Sequence, residues 1–154
     1  MKHTQFNSSW LFTLDGAEET MVNLPHDFSI TKGRNARASA GKDGGWFEGG
    51  IGIYKKHFLR PKEETVYLSI DGCQGLTEVY LNRNRVLFHP NGYTPFCVNL
   101  TDTLKEGENT LEIRVNSVLQ PSARWYTGSG LNRKVEILTA GKKYILPMGL
   151  YIRS

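Results

Sequence analysis

Apolar and polar residues alternate with a period of two along most of this chain, and no stretch of a dozen residues holds a helical period. Residues 65–70 are the clearest case. Val66, Leu68 and Ile70 would share one face of a strand there, with Tyr67 and Ser69 on the other. The same alternation predicts strands over residues 9–14, 21–24, 53–59, 78–81, 85–88, 95–100, 110–115 and 134–138. Turn formers separate them, among them Asp15-Gly16, Asn82-Arg83-Asn84 and the run from Lys105 through Gly107 to Asn109. Short strands at intervals of about 8–12 residues predict an all-β fold, an antiparallel sandwich or jelly roll. Residues 31–50 break the pattern, being polar and glycine-rich with no apolar period. A connection of about twenty residues without structure is unusual in a compact domain unless it is functional or mobile, and this composition predicts mobility.

Length and composition narrow the class. A (β/α)₈ barrel needs ~250 residues, more than the 154 available. The chain holds 7 Phe, 7 Tyr, 3 Trp and 16 Gly, which suits strands joined by tight turns. Nineteen Lys and Arg against 15 Asp and Glu give a net charge of +4. The longest basic run is Lys55-Lys56, so a nucleic-acid partner is not expected. No apolar run approaches the ~20 residues of a membrane span, and the polar start lacks a secretory h-region. The chain as given is therefore expected to be soluble and to have no membrane partner, and the sequence assigns no compartment. Cys73 and Cys97 are too few for a disulfide scaffold and read as small buried hydrophobes.

The chemistry-bearing residues exclude more than they assign. His3, His26, His57 and His89 stand apart from one another and from the cysteines, so no metal site and no cofactor is expected. The Gly128-Ser129-Gly130 and Gly49-Gly50-Ile51-Gly52 segments lack the Lys-Ser/Thr continuation of a phosphate loop and read as turns. No G-x-S-x-G elbow is present. Asp27, Asp43, Glu48 and Asp71 lie near turns; paired carboxylates could hydrolyse a glycoside, but solvated surface acids are the simpler reading. Trp46-Phe47, Tyr93 and Trp125-Tyr126 sit in glycine-containing loops. Aromatic faces pack against the C–H faces of sugar rings, and nearby polar groups take the hydroxyls. Trp46 beside Asp43 and Glu48, and Trp125 beside Arg124, supply both kinds of group. The alternative is a small satellite core under the loops, and the residues alone leave both open.

Several segments, in order, resemble the N-terminal sugar-binding domain of glycoside hydrolase family 2, the β-galactosidase and β-glucuronidase family. Val22-Asn23-Leu24-Pro25-His26-Asp27-Phe28 resembles the family's V-x-L-P-H-D-W/F entry, and Gly50-Ile51-Gly52-Ile53-Tyr54-Lys55-Lys56 its G-x-G-W-Y-R/K-K segment. Asp71-Gly72, Val79-Tyr80-Leu81-Asn82, His89, Gly92-Tyr93-Thr94-Pro95-Phe96, Gly107-Glu108-Asn109 and Arg124-Trp125-Tyr126-Thr127-Gly128-Ser129-Gly130 follow. The likeness extends over residues 8–139.

The resemblance implies a jelly-roll β-sandwich of the galactose-binding-domain-like type. It also implies a noncatalytic domain, followed in the family by an immunoglobulin-like domain and a barrel that carries two catalytic glutamates of a retaining mechanism. Residues 1–140 would form the sugar-binding domain and residues 141–154 the start of the connection. The partners implied are a β-galactoside-like carbohydrate and those two further domains. Arg124 occupies a position where members aim Arg or Asp at sugar hydroxyls. The Glu48 turn is a second candidate contact, although its glycines cannot supply the side-chain amide some members use. With the neighbouring aromatics, the candidate substrate-binding residues are Arg124, Trp125, Glu48 and Trp46, and none is expected to be catalytic. Asn82-Arg83-Asn84 departs from the family's Asn-Gly-Lys turn, and Leu131-Asn132-Arg133 from Ile-Tyr-Arg, which removes an aromatic beside the site. Two other readings stand beside this one: a stand-alone carbohydrate-binding module and a complete small hydrolase. The apolar residues 144–152 are expected to fold back on the sandwich or pair with another copy, because each large side chain recovers ~1.5–3 kcal/mol on burial.

Overall fold

Val66, Leu68 and Ile70 all point inward and are inaccessible to solvent, as their spacing predicts. They belong to β5 (Thr65–Ile70), which pairs with β10 (Val135–Ala140) on one side and β8 (Phe96–Asn99) on the other. With β1 (Lys2–Gln5) at the far edge, these strands form a four-stranded antiparallel sheet in the order β1-β10-β5-β8. The computed structural model describes residues 1–119 and 124–153.

The second sheet has six strands in the order β3-β2-β4-β9-β6-β7. They are β2 (Trp10–Leu14), β3 (Thr20–Val22), β4 (Ile51–Leu59), β6 (Leu76–Leu81), β7 (Asn84–His89) and β9 (Glu108–Asn116). In β9 the buried residues alternate, with Leu111, Ile113 and Val115 inside and Glu112 and Arg114 outside. Trp10, Tyr54, Val79 and Leu81 join them from the neighbouring strands, and the apolar faces of the two sheets form one core. The two antiparallel sheets make the expected all-β sandwich.

The turn between β6 and β7 holds Asn82 at φ 51° and Arg83 at φ 71°, with Leu81 opposite Asn84. Two left-handed residues in a two-residue hairpin make a type I′ turn. Asn tolerates this conformation; Arg is strained in it, which is why glycine suits that place.

Residues 31–50 are not the loose connection their composition predicts. Asp27 caps a short helix, α1 (Phe28–Lys32), by accepting from the Ser29 and Ile30 amides at 3.1 and 3.3 Å. Gly33 ends it. A 3-10 turn follows at Gly41–Gly44, Ala38 and Ala40 are buried, and the Asn35 amide donates to the Trp46 carbonyl at 2.8 Å. Backbone pairing and small buried side chains hold the segment where apolar periodicity is missing.

Of the two alternatives for residues 144–152, the single chain bears on folding back alone, and it does so at one residue. Only Tyr144 docks, its hydroxyl 3.3 Å from that of Tyr67 and the two rings in edge contact. Ile145, Leu146, Met148, Leu150, Tyr151 and Ile152 are exposed, Ile152 at 87%. Pro147 and the turn closed by the Gly149 amide on the Leu146 carbonyl interrupt the segment, which forms no strand within this chain. No helix among the described residues is long and apolar enough to cross a membrane.

Candidate functional site

The loop carrying α1 and the loop before β10 meet at one end of the sandwich, and two residue pairs join them. The Tyr126 hydroxyl donates to the Asp27 carboxylate, 2.6 and 2.7 Å from its oxygens. Burial and then the adjacent carboxylate raise the Tyr126 phenol pKa above its ordinary value. Asp27 thus serves the α1 amides and the second loop together. Beneath it, the buried Ser29 hydroxyl lies 2.5 Å from the Glu48 carbonyl and 2.7 Å from the Ser129 hydroxyl. One hydroxyl has a single proton, so Ser29 donates to Glu48 and accepts from Ser129. The Phe28 amide donates to the Ser129 carbonyl.

Gly130 closes the floor. Its φ is +98°, and a Cβ there would collide with the Tyr54 hydroxyl and approach the His26 carbonyl at 3.0 Å. Tyr54 is buried, and its hydroxyl lies 2.9 Å from His26 Nδ1. Burial lowers the His26 pKa, opposed by neighbouring Asp27. The glycine lets the chain pass against this pair, a close approach a side chain would forbid.

Within each aromatic doublet the structure assigns different roles to the two members. Phe47 and Tyr126 face each other with ring centroids 4.5 Å apart and form the satellite core. Trp46 and Trp125 are the outer members, 41% and 65% exposed. Arg124 is exposed and has no hydrogen bond or ion pair among the described residues. Glu48 is half-buried, its carboxylate accepting from Asn35 Nδ2 at 2.5 Å. The four predicted residues therefore lie on two loops that Phe47 and Tyr126 bring together, while no direct contact joins Trp46 or Glu48 to Arg124 or Trp125 among the described residues. From the sequence alone Asp27 reads as a surface acid, Tyr126 as a loop aromatic and Ser129 as a turn residue, and Ser29 carries no reading; the fold adds the contacts that join these four. An Asp directly before Phe28-Ser29-Ile30 is a cap signal that could have marked the first of them.

Two depressions mark the surface, and the smaller borders this region. One, of about 520 Å³, opens between Gln74, Asn91, Tyr93 and Asn116 and reaches Gly128. The other, of about 930 Å³, spreads over the outer face of the six-stranded sheet. Three of its charged residues form one cluster: Arg114 Nε donates to Glu112 at 2.6 Å, and Lys55 lies 3.7 Å from the same carboxylate. No cluster of His, Cys, Asp and Glu able to hold a metal occurs among the described residues.

The family described as glycosyl hydrolase 2 galactose-binding domain-like matches residues 39–137. The chain belongs to that family. Among relatives of this galactose-binding-like domain, a putative β-glucuronidase of Formosa agariphila is 34% identical over 98% of this chain and 16% of its own length. A β-galactosidase of Bacteroides ovatus is 31% identical over 99% of this chain and 20% of its own. The crystal structure of a β-glycosidase from Bacteroides vulgatus superimposes with a TM-score of 0.85 at 30% identity, over 92% of the domain and 20% of that chain. The domain thus spans a fifth or less of the length of these relatives.

Proposed function

We propose that the chain is the noncatalytic sugar-contacting domain of a retaining β-galactosidase- or β-glucuronidase-like glycoside hydrolase. Residues 1–140 form the sandwich, and residues 141–154 begin the connection to an immunoglobulin-like domain and a catalytic barrel. The observation that carries this reading is the division of labour at the loop end. Tyr126 and Phe47 anchor the loops, which leaves an exposed Trp125 ring and an Arg124 guanidinium without a partner among the described residues beside them. A held loop with an unpaired cation and an exposed aromatic can take sugar hydroxyls and a C–H face at small entropic loss. Two of the three acids on the same loops are committed elsewhere, Asp27 to Tyr126 and Glu48 to Asn35, which leaves exposed Asp43 as the one acid there without a partner among the described residues. That favours a contact surface over two free carboxylates for hydrolysis.

Replacement of Arg124 by Ala in the enzyme that carries this domain tests the reading. Loss of charge-assisted hydrogen bonds should lower kcat/KM by about 10- to 100-fold with the fold intact. An unchanged kcat/KM would show that this loop does not reach substrate. The 154-residue chain alone should not hydrolyse aryl β-galactosides or β-glucuronides, and turnover lost on mutating one of its own acids would overturn the noncatalytic assignment.

A further inference from the structure

The depression of about 520 Å³ has a chemistry different from that of the Arg124 loop. None of its lining residues carries a charge. Its polar groups include the side-chain amides of Gln74, Asn91 and Asn116, and a half-exposed Tyr93 ring stands at its rim. Gln74 is the informative residue. It is 8% exposed, and its backbone is fixed by reciprocal hydrogen bonds with Gly130 at 2.9 and 3.0 Å. Its side-chain amide has no hydrogen-bond partner among the described residues and opens on the depression. The amide's polar atoms are not sealed in the core; in the depression they meet solvent, which a ligand would replace as their hydrogen-bond partner.

The surroundings keep that amide available. Gly92 lies against it: a Cβ there would come within 2.5 Å of Gln74 Oε1 and 2.7 Å of its Cδ. Asn91 and Asn116 are each held by a backbone amide on the side-chain oxygen, from Tyr93 at 2.9 Å and Val118 at 3.0 Å. Those bonds orient both side chains and leave their NH₂ groups as donors. Oriented amides around an aromatic face, without a cation or a carboxylate, match the alternating hydroxyls and C–H patches of a neutral sugar. A uronate carboxylate would lose its hydration there and gain no countercharge.

We propose that Gln74, Asn91, Tyr93 and Asn116 form a second sugar subsite, one that takes an uncharged pyranoside ring. It shares an end of the sandwich with Arg124 and Trp125 through the Gln74–Gly130 bridge and borders their loop at Thr127 and Gly128, yet neither Arg124 nor Trp125 lines it. The inference stands apart from the role of Arg124, which is read through turnover of the whole enzyme.

Methyl β-D-galactopyranoside and methyl β-D-glucuronide, titrated into the isotopically labelled 154-residue chain, test it by the side-chain amide signals. The neutral glycoside should shift the Gln74 signal saturably, with weak affinity, and the uronide should bind several-fold more weakly. Gly92→Ala, which crowds the Gln74 amide, and Tyr93→Ala, which removes an exposed ring, should each weaken the neutral probe by about 5- to 10-fold. Arg124→Ala should leave it unchanged. Absence of a saturable shift at Gln74, equal binding of the uronide, or shifts indifferent to both Gly92→Ala and Tyr93→Ala would overturn the proposal. Loss of the same shifts in Arg124→Ala would reduce the two sites to one and also overturn it. Tyr93 is 56% exposed, so its variant keeps the test decisive if Gly92→Ala fails to fold.

Discussion

Removal of one oxygen, Tyr126→Phe, should loosen the whole loop end. The hydroxyl lost is the donor to Asp27 at 2.6 and 2.7 Å, a charge-assisted bond of a kind worth about 1.5–3 kcal/mol when enclosed. Tyr126 is only half-buried, and solvent competes for the carboxylate, so about 1–2 kcal/mol is expected here. Asp27 keeps its two α1 amides and is not left as a bare charge. The Phe47 ring contact survives as well. For a domain of this size such a loss lowers Tm by about 3–6 °C.

Thermal unfolding followed by circular dichroism measures that total, and a cycle with Asp27→Asn isolates the pair. Asn still caps a helix but offers a neutral acceptor, so the double variant should lose less than the sum of the singles. Amide exchange supplies the local readout, with Trp46 and Phe47 exchanging faster in Tyr126→Phe while Val66 and Leu68 stay unchanged. A Tm change below ~1 °C, or additive single effects, would refute the claim that this pair holds the loops together.

Three other outcomes follow from the structure. Gly130→Ala should destabilise the domain by more than about 2 kcal/mol, because φ is +98° and the new Cβ meets the Tyr54 hydroxyl; wild-type stability in denaturant titration would contradict that packing. Stability should fall above pH 10.0, the ordinary phenol value, because Tyr54 and Tyr126 both have raised pKa values in the fold, and the unfolded chain alone gives up those protons. Buried Tyr54 contributes about 1.4 kcal/mol per pH unit there and half-exposed Tyr126 less, so Tyr126→Phe should flatten the alkaline limb of Tm against pH. Arg83→Gly should raise stability by about 0.5–1 kcal/mol by relieving the residue at φ 71°, and a fall in the urea midpoint would count against the type I′ turn.

Strands with one face in the core announced themselves locally. Leu111, Ile113 and Val115 alternate with Glu112 and Arg114, and any register that buries one buries all three. Nothing comparable marks Lys2–Gln5, whose four residues are all exposed; they form a strand because β10 offers an edge, with Lys2 opposite Thr139. Helix α1 was hidden by its length, five residues being too few to display a helical period, although its Asp27 cap is a local signal. At the loop end, sequence neighbours do opposite work. Trp125 and Tyr126 are both aromatic, and only the positions of Asp27 and Phe47, far away in the chain, decide which ring turns inward. Gln74 is the extreme case: an amide in a loop is ordinary until the fold encloses it.

The strand order of the smaller sheet has a consequence for how the molecule comes into being. β10, the last strand, lies between β1, the first, and β5; its residues 136–139 pair with residues 2–5 on one flank, and its residues 135–140 with residues 65–70 on the other. During synthesis, β1 must wait without its partner until residues 136–139 have left the ribosome, while β5 has only β8 to hold. Contacts that close loops of this length are entropically demanding and slow to form. The six-stranded sheet, whose members all lie before residue 117, can assemble first as a surface on which the other sheet condenses. Folding on the ribosome should then proceed by halves, with the four-stranded layer completed in one late step when residue 140 becomes free.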